Sequence, residues 1–388
     1  MQLSDAKLAK KLTDLLSDLV GISTIFPPGE SSQMAKHIAD ILDAVGYKVE
    51  IISAEIGLDN VVAKMGSGKP SLVFNTHIDT VDAGDLSLWK HPPYSSIIED
   101  GRLYGLGAAN CKGTAATQIM LALEIANRGG PAMGEVVFTF VTEEENLGPK
   151  GMAHLRDIGA VNPDMLLVAA PTQNTLINTE RGVMWATLTT SGRPAHAGQP
   201  QKGDNAIMRM VRVLTHLDKE LKLCLADRTD GDLHATINIG KINGGINTNV
   251  VPSNCIVEID RRLLPNETVN DAFSELSKII AKSGEPADQV TISLLRGTNG
   301  FSGNGNGDLE SALSRGIEKI TGSPAKYSVA AGVSDGRYFA DDDIEIVIFG
   351  PGDDAEGHAV NESIKIDELV DSTRILDDTF SHLTGYKA

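Results

Sequence analysis

Apolar residues recur along this chain in two rhythms, and the change between them marks its organisation. Near the start, Leu8, Leu12, Leu15, Leu16 and Leu19 fall at helical spacing among Lys and Asp residues, which predicts an amphipathic opening helix rather than a targeting segment. From about residue 30 to 182, helical stretches alternate with short apolar runs near Val61-Val62-Ala63, Leu72 to Asn75, Val136 to Val141 and Met165 to Ala169, the pattern of an α/β core. After Gly182 the order becomes strand 184–190, helix 205–221, strand 235–239, strand 255–260, helix 269–282 and strand 290–294. That β-α-β-β-α-β sequence is the split motif of a ferredoxin-like domain. The Gly- and Asn-rich stretch Thr298 to Gly307 reads as a flexible return, after which a helix over 308–321 and a strand over 344–349 resume the first rhythm. The fold class expected is therefore α/β: a mixed, mostly parallel sheet flanked by helices, formed by residues 1–181 and 296–388, with residues 182–295 inserted as a ferredoxin-like domain.

Composition agrees with two soluble units. A chain of 388 residues is long for one core, and 41% apolar content allows real cores to form. Lys and Arg number 34 against 52 Asp and Glu, a formal charge of −18 that argues against nucleic acid and anionic membranes as partners. No uncharged apolar run approaches membrane-spanning length. Cys111, Cys224 and Cys255 are widely spaced and form no CxxC, so neither a disulfide framework nor a cysteine zinc site is indicated; a reducing cytoplasm is the compartment expected.

The chemistry concentrates behind two of the apolar runs. His77-Ile78-Asp79 follows the run Ser71 to Phe74, and Glu143-Glu144-Glu145 follows Val136 to Val141. In a parallel sheet, ligands gather beyond the carboxyl ends of strands, so two runs ending in His and carboxylates point to one shared site. His77 and Asp79, two apart, can face the same side of an extended segment. The carboxylate would then hold the imidazole in one tautomer while the other ring nitrogen meets a metal.

Further motifs stand in order along the chain: Trp89-Lys90-His91-Pro92-Pro93-Tyr94, Gly105-Leu106-Gly107-Ala108-Ala109-Asn110-Cys111-Lys112-Gly113, the triple Glu, and Gly350-Pro351-Gly352 to His358-Ala359-Val360-Asn361-Glu362. Together they resemble the co-catalytic di-zinc exopeptidase and deacylase family, which includes acetylornithine deacetylase, succinyl-diaminopimelate desuccinylase, aminoacylase and glutamate carboxypeptidase. The resemblance spans nearly the whole chain. It implies a divalent metal (zinc, with manganese or cobalt as alternatives), metal ligands at His77, Glu145 and His358, and a general base at Glu144, with Glu143 standing where Asp is usual. It also implies that the inserted domain is a lid that dimerises. In Ser191-Gly192-Arg193-Pro194-Ala195-His196, His196 matches the residue that family dimers send into the neighbouring active site to stabilise an oxyanion. Asn249 and Arg262 match positions that contact a substrate carboxylate or carbonyl. Arg337, in Gly332-Val333-Ser334-Asp335-Gly336-Arg337, is either another such contact or a salt-bridge partner of a nearby Asp such as Asp335.

Two positions depart from the family pattern. Asn110 occupies the place of the aspartate shared by both metals, and Ala170, before Pro171-Thr172, occupies that of a carboxylate ligand. A neutral amide cannot balance two divalent ions, and alanine supplies no ligand. The expectation is one metal per chain, held by Glu145 and His358 with His77 or Asn110. Cys111, where the family commonly shows Met, is read as a small buried hydrophobe rather than a thiolate ligand. The resulting function is hydrolysis of a small carboxylate-bearing amide, an N-acyl amino acid or dipeptide-like molecule, by a homodimer. Release of an amine from an unusual non-peptide substrate and a non-catalytic binding protein are the alternatives.

Overall fold

The strand Ser71–His77 is buried along its whole length, which places it in the middle of a sheet covered on both faces. The computed structural model, which describes residues 3–386 except Pro28, Asp232, Asn304 and Ala331, shows how that burial arises. Its large sheet runs Lys48–Glu55, Leu58–Gly66, Glu135–Val141, Ser71–His77, Met165–Val168, Glu345–Ile348, Leu176–Glu180. The four central strands are mutually parallel and the strands outside them pair antiparallel, so the sheet is mixed with a parallel centre. Helices Asp5–Val20, Ser32–Asp43, Lys112–Asn127, Asp308–Thr321 and Ile366–Leu383 supply residues such as Leu12, Ile38, Ile119, Leu313 and Leu376 to one continuous core with Phe74, Phe138 and Phe140. Burying a side chain of that size contributes about 1.5–3 kcal/mol, and such contacts hold the central strands in register.

Lys48–Glu55 and Leu176–Glu180 were not anticipated by the hydrophobic pattern. The first has a mostly exposed burial pattern, so it lacks a clean alternation. Its partner is reached through a tight turn in which Gly57 takes φ +84°, a left-handed conformation open to glycine. The Gly- and Asn-rich return also contains a two-residue strand, Phe301–Ser302.

The chain divides into two compact units, Met1–Asn178 with Gly303–Ser328 and Ser334–Ala388, and Thr179–Ser302 with Val329–Val333. In the smaller unit an antiparallel sheet has the order Thr236–Gly244, Asn254–Leu263, Gly182–Ser191, Val290–Thr298. That order, second-third-first-fourth, is the ferredoxin-like arrangement. Met184, Ala186, Leu188, Val257 and Ile259 pack on helices Ala206–Leu225 and Val269–Ala281. Asn205 and Thr268 start these helices by accepting the backbone N–H of Met208 at 3.0 Å and of Asp271 at 3.1 Å.

Candidate active site

The central strand ends on His77, and the parallel neighbour Glu135–Val141 ends beside it, because His77 pairs with Val141 in register. Asp79 then ties the two loops together: its carboxylate accepts the N–H of Glu144 at 3.3 Å and of Glu145 at 3.1 Å. His77 Nδ1 lies 3.1 Å from the Asp79 carbonyl oxygen and 3.5 Å from its carboxylate. Asp79 therefore faces the imidazole with both its main chain and its side chain, and the same carboxylate also shapes the glutamate turn.

The glutamate turn is tight. Glu143 and Leu147 both adopt left-handed φ angles, +64° and +49°, around the 3₁₀ turn Glu144–Asn146. A Cβ on Gly148 would lie 2.0 Å from the Glu143 carboxyl carbon, so a larger residue there would have to displace the carboxylate that accepts the Lys150 N–H. On the opposite side, Glu362 accepts three backbone N–H bonds, from Gly107 at 2.7 Å, Ala109 at 2.9 Å and Asn110 at 2.8 Å. Glu362 follows His358 by one helical turn's worth of residues in the same loop, so one carboxylate couples the His358 loop to the Asn110 loop. Its role was not anticipated, although it stands inside a motif already singled out. Buried Lys112 donates to the Ile22 carbonyl at 2.8 Å, and burial lowers its pKa to about 8.

These loops bring the four residues expected to hold metal into contact. His358 Nε2 lies 2.8 Å from Glu145 Oε1. Asn110 Nδ2 lies 3.0 Å from the same Glu145 oxygen and 3.2 Å from His358 Nε2, while Asn110 Oδ1 lies 3.1 Å from His77 Nε2. The Glu145 carboxylate raises the His358 pKa, against the opposing effect of burial. Glu144 stands in the same cluster: one of its oxygens, a ring nitrogen of His77 and an oxygen of Glu145 all fall within 4.8 Å of one another. Burial pushes Glu144 up to about 7, opposed by His77 and Arg337 and assisted by Asp335 and Glu145. Arg337 is buried with its guanidinium 3.2 Å from Glu144 and 3.8 Å from Asp335, so its visible partners are these carboxylates.

A family model, Peptidase family M20/M25/M40, matches residues 73–382, a span that contains every residue of this cluster. The chain belongs to Peptidase family M20/M25/M40. As a member of this M20/M25/M40 family it is a metal-dependent hydrolase of the amidohydrolase and peptidase type. It is similar to the succinyl-diaminopimelate desuccinylase of Herminiimonas arsenicoxydans, 27% identical over 366 residues that cover 92% of this chain and 94% of the relative. Its fold is shared with an M20 family metallo-carboxypeptidase of Sulfolobus solfataricus (TM-score 0.78, 18% identity, 96% and 99% of the two chains). A Staphylococcus aureus tripeptidase shares it as well (TM-score 0.75, 22% identity, 96% and 97%).

The donor set of this M20/M25/M40 chain suits a divalent ion. Glu145 and His358 meet directly, with the Asn110 amide nitrogen beside both, while the Asn110 oxygen faces His77, so carboxylate and imidazole donors of the kind divalent transition metals take are gathered around one side chain. Ala170 follows the strand that pairs with the His77 strand as far as Val168 and Asn75, and it offers only a methyl group. Cys111 Sγ lies 3.1 Å from the Asp79 carbonyl that also meets His77 Nδ1. The thiol is thus on the side of the ring away from Asn110, and burial raises its pKa.

His196, Asn249 and Arg262 belong to the smaller unit. His196 is exposed, its Nδ1 accepting the Gly198 N–H at 3.0 Å, and the Asn249 carbonyl accepts the Ala197 N–H at 3.0 Å. A surface hollow of about 600 Å³ lies beside them, lined by Ala197, Asn205, Ile246, Asn247, Thr248 and Pro252 among others. Arg262 is paired with Asp260 at 2.9 Å. No helix among the described residues is long and apolar enough to cross a membrane.

Proposed function

We propose that this chain hydrolyses a small amide bearing a carboxylate, an N-acyl amino acid or dipeptide-like molecule, with one effective divalent ion per chain. The observation that carries the reading is the 2.8 Å approach of His358 to Glu145, residues 213 apart in sequence, directly beside Glu144. Glu145 and His358 would hold the ion, with His77 and the Asn110 oxygen completing the set. When bound, such an ion supplies Lewis-acid polarisation and makes water more acidic. Glu144 accepts the proton of the attacking water and returns it to the leaving amine. Asp79 holds the backbone of Glu144 and Glu145, so base and ligand keep one geometry. Arg262 and Asn249 bind the substrate carboxylate, and His196 from the second chain of a dimer steadies the developing negative charge.

Support for the substrate class comes from the curated relative, whose name specifies removal of a succinyl group from diaminopimelate. Support for a dimer comes from the smaller unit's outer strand Thr236–Gly244, whose exposed edge carries exposed Ile239 and Ile242. The deciding experiment is metal content after dialysis, paired with wild-type and Glu144→Ala turnover of N-succinyl-diaminopimelate, N-acetyl amino acids and dipeptides. One zinc, manganese or cobalt per chain and loss of turnover in Glu144→Ala are expected. No metal uptake at saturating supply and no turnover across the set would favour a binding protein.

A further inference from the structure

Arg337 is an unusual side chain to find beside a base. It is buried, with a side-chain exposure of 1%, and it comes from the short turn Asp335–Phe339, which Ser334 closes by accepting the Gly336 N–H. A buried guanidinium is costly unless its donors are satisfied, and here both terminal nitrogens have a defined partner. One terminal nitrogen meets Glu144 Oε1 at 3.2 Å; the other meets Tyr338 Oη at 2.9 Å and has Asp335 at 3.8 Å. The guanidinium also lies 4.4 Å from the centre of the Tyr338 ring. Tyr338 is itself braced, donating to the Gly148 carbonyl at 2.7 Å, and Gly148 closes the turn that carries Glu144 and Glu145.

We propose that Arg337 is a positioning residue for Glu144: it pins one carboxylate oxygen so that the other is presented to the reacting water, and Tyr338 locks the guanidinium to the glutamate turn. The proposal rests on the reading of Glu144 as the base. Its logic is geometric. Asp79 holds only the backbone of Glu144, which leaves the side-chain torsions free, and Arg337 supplies the contact that removes this freedom. Losing about an ångström of placement at a reacting group costs on the order of 100-fold in rate. A substrate-binding arginine would be reachable and would change substrate affinity; Arg337 is enclosed and already engaged.

The test uses the full-length, zinc-loaded protein. In crystal structures of the wild type and Arg337→Gln, the Glu144 carboxylate is expected to be ordered in the first and rotated or split over rotamers in the second. An unmoved, ordered Glu144 would overturn the proposal. With N-succinyl-diaminopimelate as the kinetic probe, Arg337→Gln is expected to lower kcat about 100-fold and Tyr338→Phe about 5–10-fold, each with KM within about threefold, and added guanidinium to restore part of the Arg337→Gln loss. A raised KM at unchanged kcat would reassign Arg337 to substrate binding. If Arg337→Gln does not fold, Tyr338→Phe, which removes one hydroxyl, carries the same structural comparison. Glu144→Gln separates the two levels: wild-type kcat in that variant removes the base assignment itself, whereas inactive Glu144→Gln beside fully active Arg337→Gln removes only the clamp.

Discussion

Asn110 offers the sharpest test of the proposal that each chain holds one effective divalent ion. Its amide donates to Glu145 Oε1 at 3.0 Å, so Asn110→Asp replaces a hydrogen bond by two facing carboxylate oxygens. At an effective dielectric constant of about 20, two unit charges at this distance repel by about 5 kcal/mol. Proton uptake and side-chain rotation relieve about half of that, leaving about 2–3 kcal/mol. For a chain of this size that corresponds to a fall of roughly 3 °C in the melting temperature of the chelator-treated protein. A divalent ion reverses the sign, because the added negative charge then faces a cation. Zinc should therefore stabilise Asn110→Asp more than it stabilises the native chain. Adding Ala170→Glu supplies the missing carboxylate, and the double variant should bind two zinc ions where the native chain binds one. Calorimetry with and without chelator, together with zinc per chain by elemental analysis, makes the comparison. Equal melting of the metal-free forms and an unchanged zinc count in the double variant would refute the placement of Asn110 at a metal junction.

Three more outcomes follow from the geometry. In the metal-free protein Glu144 has a folded pKa pushed up to about 7 by burial, above the unfolded value of about 4.3, so the unfolded chain binds fewer protons in between. Stability from this group is full below about pH 4 and declines as pH rises towards 7; Glu144→Gln should flatten that slope in urea midpoints, and parallel curves would contradict it. Gly148→Ala puts a Cβ where the Glu143 carboxylate sits and displaces that carboxylate from the Lys150 N–H, so kcat should fall about 10-fold while the melting temperature shifts by only a few degrees, read by steady-state kinetics and calorimetry. Ile242→Asp on the exposed strand Thr236–Gly244 should convert a dimer to a monomer in light scattering; a native chain that is already monomeric at working concentration would remove the role given to His196.

The catalytic cluster was partly readable in one dimension. His77 and Glu143 to Glu145 announce themselves because central parallel strands are continuous apolar runs and their carboxyl ends carry the chemistry. His358 and Asn110 were reached through motif resemblance alone, since no periodicity links residues 248 apart. Glu362, Tyr338 and the contact of Arg337 with Glu144 left no such trace. Each acts through a side chain that meets a distant segment, and its neighbours in sequence do not reveal which segment that is. The edge strand Lys48–Glu55 escaped for a different reason: with one side in water, it needs no clean apolar alternation.

By itself the sequence determined most of the central element types, the insertion of a ferredoxin-like unit and the residue chemistry available, because hydrophobic period and side-chain identity are local properties. Only the tertiary structure decided that the Asp79 carboxylate holds the glutamate turn beside His77, that Asn110 lies between His77, Glu145 and His358, and that Arg337 faces Glu144. Those facts depend on distances of about 3 Å between remote segments, and such distances are set by how the buried core closes around the central strands.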